Sequence, residues 1–523
     1  MEPASPKDSS TTQTVARNSF WYGLETAFGI VTAFATSIAM ARILGPQKLG
    51  YFNYVMWLAN VSGLIGSLGI PLATRKYIAE YLGRGQTGFV RSLVYTGLGL
   101  QTALAAAITV TALVLVYTVS DPSQRHISAF QVASTLPSMM LAIPSQANLA
   151  AENMKANVAG SLVGQSLYIV FVAVSLWTGW DLFGIAVGIF VYRSVELLVR
   201  LLPVIGWVRQ MPSAPLPTEL RRKLATFSLQ GTVLMLLNVI VWDRSDLVFL
   251  KMFGKDIGQV TFYAVSFNLV ERALTIPQTF ATAIGASLMA QYGRDERRLP
   301  QMVATSAKYI LMCSIPLLLG MTALSGAVIQ TLYGAQYEPA IPVLAVASTL
   351  AIARSLHLPG TQLMQATERQ GFLVWWGCTC AGLNIALDLL LIPRYQATGA
   401  AAANGLAQAI AVAGVWVRAW RIFRLPLPAG AILRVAIAGV VMSLTVRQVV
   451  GVLGGWMALP AGVLAGAAVF VTMLRLTRAF DEEDRNRFLL LRRVMLVPLQ
   501  GPFDRLVRWM IPLRAVSGRM EGA

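Results

Sequence analysis

From Ser92 to Ser120 the chain passes no Asp, Glu, Lys or Arg, and the same holds from Ala156 to Trp180, Tyr309 to Tyr337 and Trp456 to Leu474. About 20 apolar residues carry a helix through a hydrocarbon core about 30 Å thick, so each stretch is long enough to cross a bilayer. Several such stretches exclude a single-anchor protein. The rest of the chain agrees: 56% of its 523 residues are hydrophobic, 13% are charged, and the mean hydropathy is +0.61. That balance lies outside the range of ordinary soluble domains, so the solvent for most of the chain is lipid.

Apolar runs broken by charge, Pro or Gly give fourteen spans, starting near Asn18, Leu49, Ser92, Ser128, Ala156, Leu182 and Leu224, then Gln259, Ala307, Pro339, Gly371, Thr398, Ala429 and Gly454. The net charge of +18 does not point to nucleic acid, because the basic residues form no soluble arm and sit between apolar segments. The N-terminus and the even-numbered loops hold about 21 Lys and Arg, among them Arg75, Lys76, Arg84, Arg91, Arg221, Arg222, Lys223, Arg294, Arg297 and Arg298, against about 7 in the odd-numbered loops. This bias places both termini in the cytoplasm. The polar first residues contain no signal-peptide core and lead into a retained helix carrying Trp21 and Tyr22, aromatics suited to a membrane interface. Cys313, Cys378 and Cys380 all lie in apolar segments, without the spacing of a disulfide framework or zinc site, and read as small core residues.

The chain also repeats itself. Gly45, Gly50, Asn60 and Pro71 are answered by Gly254, Gly258, Asn268 and Pro277, roughly 206 to 209 positions on. Glu152 and Gly184-Ile-Ala-Val are answered by Glu368 and Gly399-Ala-Ala-Ala at an offset of roughly 215. Two six-helix halves of like orientation follow, with a pseudo-twofold axis along the membrane normal and a cavity between them. The expected division is an N-terminal segment 1–17, a first lobe 18–210, a linker 211–223, a second lobe 224–424, two further spans within 425–476, and a basic tail 477–523. The tail, with Phe488 to Leu491, Trp509 and Met510, reads either as a helix on an anionic leaflet or as a solvated, partly ordered segment.

A charge at the centre of a membrane helix costs about 2.5–3.5 kcal/mol on insertion scales, so it normally faces a partner or a wet cavity. Arg193, Arg244, Arg272 and Arg354 carry forked, permanent cations suited to phosphate oxygens, and an anionic pyrophosphate is their natural ligand. The competing reading is internal pairing, Arg193 with Glu196 or Arg244 with Glu271. Glu25, Asp243, Asp246, Glu271 and Asp388 suit proton or sodium coupling, although Asp243 and Asp246 equally suit local balance of Arg244. His357 reads as a proton relay or as a satisfied structural residue. No metal site and no cofactor is expected. The sequence carries no Walker A loop, His-Glu-x-x-His, Gly-x-Ser-x-Gly or Asp-rich loop cluster, so uphill transport would draw on an ion gradient, a substrate gradient or product removal.

Asn18-Ser-Phe-Trp-Tyr-Gly23, Ala41-Arg-Ile-Leu-Gly-Pro46 and Ile70-Pro with Ile78-Ala-Glu80 resemble the bacterial polysaccharide flippases. In the second half Trp242-Asp-Arg-Ser-Asp246, Phe262-Tyr263, Leu332-Tyr-Gly334, Asn384 with Asp388, Leu391-Ile-Pro-Arg-Tyr395 and Gly399 to Asn404 stand in the family's order. The family is the oligosaccharide-flippase branch of the multidrug, oligosaccharidyl-lipid and polysaccharide exporter superfamily. The resemblance implies an all-α integral membrane protein of about 14 transmembrane helices, with two six-helix lobes plus two extra C-terminal helices. It further implies alternating-access transport of an undecaprenyl-pyrophosphate-linked oligosaccharide across the inner membrane, with Arg193, Arg244, Arg272 and Arg354 on the pyrophosphate. Expected partners are that lipid, membrane lipids, and a polysaccharide polymerase or other assembly proteins. A peptidoglycan-precursor flippase would share the basic cavity, whereas a multidrug cation antiporter would need an acidic one. The short odd-numbered loops leave no room for the catalytic domain of a membrane glycosyltransferase or polymerase.

Overall fold

The computed structural model describes residues 6–292, 296–480, 482–491 and 497–511. Residues 1–5, Arg294, Asp481 and the end of the tail from 512 lie outside the described residues. Among those described there is no strand, as a chain in lipid requires when each helix satisfies its own backbone groups.

The first part of the chain forms α1 (Pro6–Gly66), α2 (Ile70–Gly83), α3 (Thr87–Val119), α4 (Arg125–Ala133), α5 (Thr135–Ala150), α6 (Met154–Thr178), α7 (Asp181–Arg209), α8 (Thr218–Trp242), α9 (Asp246–Phe253) and α10 (Gly258–Tyr292). Then come α11 (Leu299–Ala323), α12 (Ser325–Leu332), α13 (Ala340–Arg354), α14 (His357–Ala366), α15 (Gln370–Phe423), α16 (Ala429–Leu453), α17 (Ala458–Leu476), α18 (Glu482–Leu491) and α19 (Val497–Met510). Eleven helical segments among the described residues are long and apolar enough to cross a membrane. Two of these, of 44 and 54 residues, exceed one crossing and are broken inside. In α1 the break is Gly45, at φ 77° and ψ 169°, because Pro46 bars a helical residue before it and glycine tolerates positive φ. In α15 it is Gln396, at φ 54°, three residues after Pro393. The described chain is a multi-pass membrane protein.

It divides into two compact units, Met1–Thr261 and Phe262–Ala523. The repeat seen in the sequence is written into the backbone of each. In the first unit α5 ends in a turn where Glu152 takes φ 57° and Asn153 N–H donates to Asn148 C=O at 2.8 Å. In the second, α14 ends with Glu368 at φ 56° and Arg369 N–H donating to Met364 C=O at 2.8 Å. Asp181 and Gln396 both take φ 54°, and each is followed three residues later by glycine. A Cβ at Gly184 would strike Ser175 and Trp180, and one at Gly399 would strike the Leu391 carbonyl. Both helices therefore turn back on the preceding chain at a place where only glycine fits.

Within the first unit the two matching glycine-flanked elements, Gly45 to Gly50 and Gly254 to Gly258, lie against one another. Gln47 Nε2 donates to Asp256 Oδ1 at 3.1 Å, the Thr261 hydroxyl donates to Pro46 C=O at 2.7 Å, and Gly50 sits against the Ile257 carbonyl. Helix α8 begins at Thr218, ahead of its first apolar run, with Glu219 and Lys223 paired at 2.8 Å across one turn. The cysteines are all free, and Cys380 is buried as expected. Cys378, two residues away on the opposite face of α15, is exposed, which corrects its reading as a core residue.

In the second unit the tail is anchored. Lys308 of α11 pairs with Asp484 of α18, and the Tyr309 hydroxyl donates to the same carboxylate at 2.7 Å. Both charged groups are buried, Tyr309 stacks edge-on to Phe488, and Arg475 lies 4.4 Å over the Trp509 ring.

Two outcomes follow. Gly50→Val places methyl groups where the Ile257 carbonyl stands and should lower stability by about 1–3 kcal/mol, read as a fall in thermal midpoint in detergent. Asp484→Asn leaves Lys308 without its counter-charge. Every 1.4 kcal/mol lost from docking raises the undocked fraction about tenfold, so limited trypsin digestion should cut near Arg485 about tenfold faster or more.

Candidate functional site

Arg193, Glu196 and Arg200 stand three and four residues apart on α7, a spacing that puts all three on one helix face. That face meets α6 where the sequence reads Gly160-Ser-Leu-Val-Gly164. A Cβ at Gly160 would collide with the Arg200 side chain, and one at Gly164 would press on Glu196 Cβ. The small residues let the ionic row of α7 sink between the helices, the packing that small-x-x-x-small spacing gives in membranes.

Arg200 is the hub. It donates to Ser145 Oγ of α5 at 2.9 Å, to Ser161 Oγ of α6 at 2.5 Å and to Glu196 Oε1 at 2.5 Å, and it reaches Glu25 Oε1 of α1 at 3.5 Å. The Ser161 hydroxyl donates to Glu25. Below it, Asn148 donates to Asn157 Oδ1 and to the Arg200 carbonyl, both at 3.2 Å, and Asn157 donates to the Ser145 carbonyl at 3.0 Å. Arg193 closes the row by donating to Glu196 Oε2 at 3.0 Å, while its guanidinium lies 4.7 Å over the Tyr192 ring, itself 5.1 Å from Tyr168. Two acids and two guanidiniums balance, so the network as a whole is neutral. Its members differ in access, however: the Arg200 side chain is 10% exposed and the Arg193 side chain 35%.

The network brings two sequence-selected residues, Glu25 and Arg193, together through Glu196 and the unanticipated Arg200. The pairing of Arg193 with Glu196 is present as well. Arg200 was legible in principle, since a cation at i+4 from a carboxylate inside an apolar run is a paired-charge signal. Asp243, Arg244 and Asp246 fall at the junction of α8 and α9 instead of in mid-helix. There the Arg244 amide donates to Asp243 Oδ1 at 2.8 Å, and Asp246 lies fully buried in the first turn of α9, where a carboxylate is favoured by the helix dipole.

In the second unit Glu271 of α10 pairs with Arg354 at the end of α13, whose guanidinium lies 5.3 Å over Phe267. Arg272, beside Glu271, is exposed and makes no ion pair among the described residues. His357 Nδ1 lies 3.4 Å from the Thr361 hydroxyl. Asp388 is fully buried on α15 and accepts from Asn384 at 3.4 Å, and on the same helix Gln408 donates to Asn404 at 2.8 Å. No group of three or more His, Cys, Asp or Glu side chains among the described residues is arranged to hold a metal ion.

Removing one partner of a buried pair costs about 3–5 kcal/mol, because the other charge stays buried. Arg200→Met should therefore destabilise the protein by that amount in thermal unfolding, and Arg200→Met with Glu196→Gln should lose less. Arg193→Gln should shift the midpoint little, since Glu196 keeps Arg200.

The family described as "Polysaccharide biosynthesis protein" matches residues 39–342, more than half of the chain. The succinoglycan biosynthesis transport protein ExoT of Rhizobium meliloti is 23% identical over 501 residues, 89% of this chain and 93% of ExoT. The probable low-salt glycan biosynthesis flippase Agl15 of Haloferax volcanii is 20% identical over 407 residues, 76% of this chain and 81% of Agl15. Among solved structures, the lipid II flippase MurJ in an inward closed conformation matches with a TM-score of 0.70 at 14% identity, over 87% of this chain and 98% of MurJ, a likeness of fold. The chain is a multi-pass membrane protein and belongs to the polysaccharide biosynthesis protein family.

Proposed function

We propose that the chain translocates an undecaprenyl-pyrophosphate-linked oligosaccharide across the inner membrane by alternating access, for assembly of a surface polysaccharide. The observation that carries this reading is the unequal sharing of Glu196. Arg200 holds one oxygen from a closed, serine-lined position, and Arg193 holds the other from a half-open one beside Tyr168 and Tyr192. When Arg193 turns to a phosphate, Glu196 still has Arg200, so no buried carboxylate is stranded. A forked guanidinium suits phosphate oxygens, and the flanking tyrosines offer an amphipathic surface for a sugar.

Arg354, braced by Glu271 and Phe267, is the corresponding candidate in the second unit, with Arg244 and Arg272 completing the basic set on the pyrophosphate. Of the acids, Asp246 and Asp388 are fully buried, the setting in which proton or sodium binding changes packing most. Glu25, Asp243 and Glu271 are more open. In this reading α1 and α15 each cross the membrane twice and α10 once, which together with the other segments makes fourteen crossings. Both termini are cytoplasmic in this reading, following the bias of basic loops.

The test is translocation of a fluorescent undecaprenyl-pyrophosphate oligosaccharide in proteoliposomes. Arg193→Gln and Arg354→Gln should each lower the rate about tenfold or more at matched reconstitution, the effect of losing one charge-assisted contact of about 1.5–3 kcal/mol. Transport of organic cations with none of several such lipids would replace this reading with a drug antiporter.

A further inference from the structure

A cavity of about 540 Å³ opens between α2, α3 and α8, within the range of ligand pockets, roughly 300–1,000 Å³. Its walls follow helical spacing: Leu93, Gly97 and Leu100 on α3, and Leu224 with Ser228 and Ala225 with Leu229 on α8. At the end where α8 begins, Arg221 lines it as well. No Asp or Glu does. From Arg221 to Leu229 the groove runs roughly 12 Å at 1.5 Å per residue. That is close to the depth of one leaflet, half of a core about 30 Å thick.

The charged side chain that lines it is a cation. Arg221 is exposed and has no carboxylate within ion-pair distance among the described residues. Arg75, Lys76 and Arg222 are exposed nearby in sequence on α2 and α8, and the carboxylate of Glu219 is taken by Lys223. At the other end α2 and α8 touch, where Gly69, at φ 64°, lies against the Ser228 carbonyl. An apolar slot about one leaflet deep and mouthed by a cation matches a hydrocarbon chain headed by a phosphate.

We infer that this groove holds one acyl chain of an anionic phospholipid from the surrounding leaflet, with its phosphate on Arg221. The leaflet-length slot fits a phospholipid chain better than a long polyprenyl one. The inference depends on the chain being a membrane protein and not on which cargo it carries.

The full-length protein would be reconstituted with phosphatidylglycerol or phosphatidylcholine carrying a diazirine near the chain end, irradiated, and its labelled peptides mapped. The expected result is label concentrated on residues 93–100 and 221–229, with phosphatidylglycerol exceeding phosphatidylcholine about fivefold, the effect of one basic side chain near an anionic surface. Arg221→Gln should remove that excess and Arg222→Gln should keep it, while Ala225→Phe, which fills the slot, should remove label from both lipids. The unmodified protein decides the matter even if a variant fails to fold. Equal labelling by the two lipids, label spread evenly over lipid-facing helices such as α16, or label only from a polyprenyl phosphate probe would each overturn the inference.

Discussion

A guanidinium at membrane depth must be surrounded before helices can close on it, and in the first unit that requirement falls on Arg200. No single partner meets it. The side chain takes hydroxyls from α5 and α6, a carboxylate from its own helix and a carboxylate from α1, so four helices are held at fixed rotations about one planar cation. Hydrophobic burial cannot set those rotations, because lipid tails are as apolar as the leucines and valines on the outer faces. The glycines of α6 follow from the same demand: without Gly160 the cation has no room, and without Gly164 the backbone of α7 stands off. The asparagines one turn away tie the backbone of α5 to that of α7, so the polar core extends beyond the charges.

Backbone breaks do in each unit what side chains cannot. The matching left-handed residues, Glu152 with Glu368 and Asp181 with Gln396, mark places where a helix must stop and reverse within a turn. Their agreement to within a degree or so of φ, on side chains as unlike as Asp and Gln, shows that the path of the chain is what persists in both units. The glycines that follow are constrained by close approach and not by their own φ, since each lies where a Cβ would meet a neighbouring turn.

The helical class and the repeat were legible because hydropathy and punctuation are local properties of sequence. Gly45-Pro46 announced its break directly, and the break at Gln396 lies just ahead of the span expected to start near Thr398. The charged residues were less transparent. Arg193 with Glu196 could be read from spacing alone, and so could Arg200, yet attention to single charges in apolar runs passed over it. The pairing of Glu271 with Arg354 joins helices 83 residues apart in sequence, and no periodicity encodes which of several arginines will reach that acid. Lys308 with Asp484 was hidden for a related reason: a polar tail after the last span looks like solvent-facing chain until an acid in it is seen to be buried against a partner.

Neutrality of the first network has a mechanistic consequence. A cluster of uncompensated cations would bind pyrophosphate tightly but would repel itself and resist closure when empty. A cluster in which one carboxylate serves two guanidiniums avoids both difficulties. On the proposed function, Glu196 compensates Arg193 until the anion arrives, and a phosphate would release Arg193 while Arg200 keeps the acid satisfied. The anion would then compete with an internal carboxylate, so affinity would be moderated at entry and the same carboxylate would be present to reclaim the cation at exit. For a transporter that must release its cargo on the far side, a replaceable internal partner serves better than an isolated positive charge, and Arg193 is the residue of the four-member network whose access and pairing fit that part.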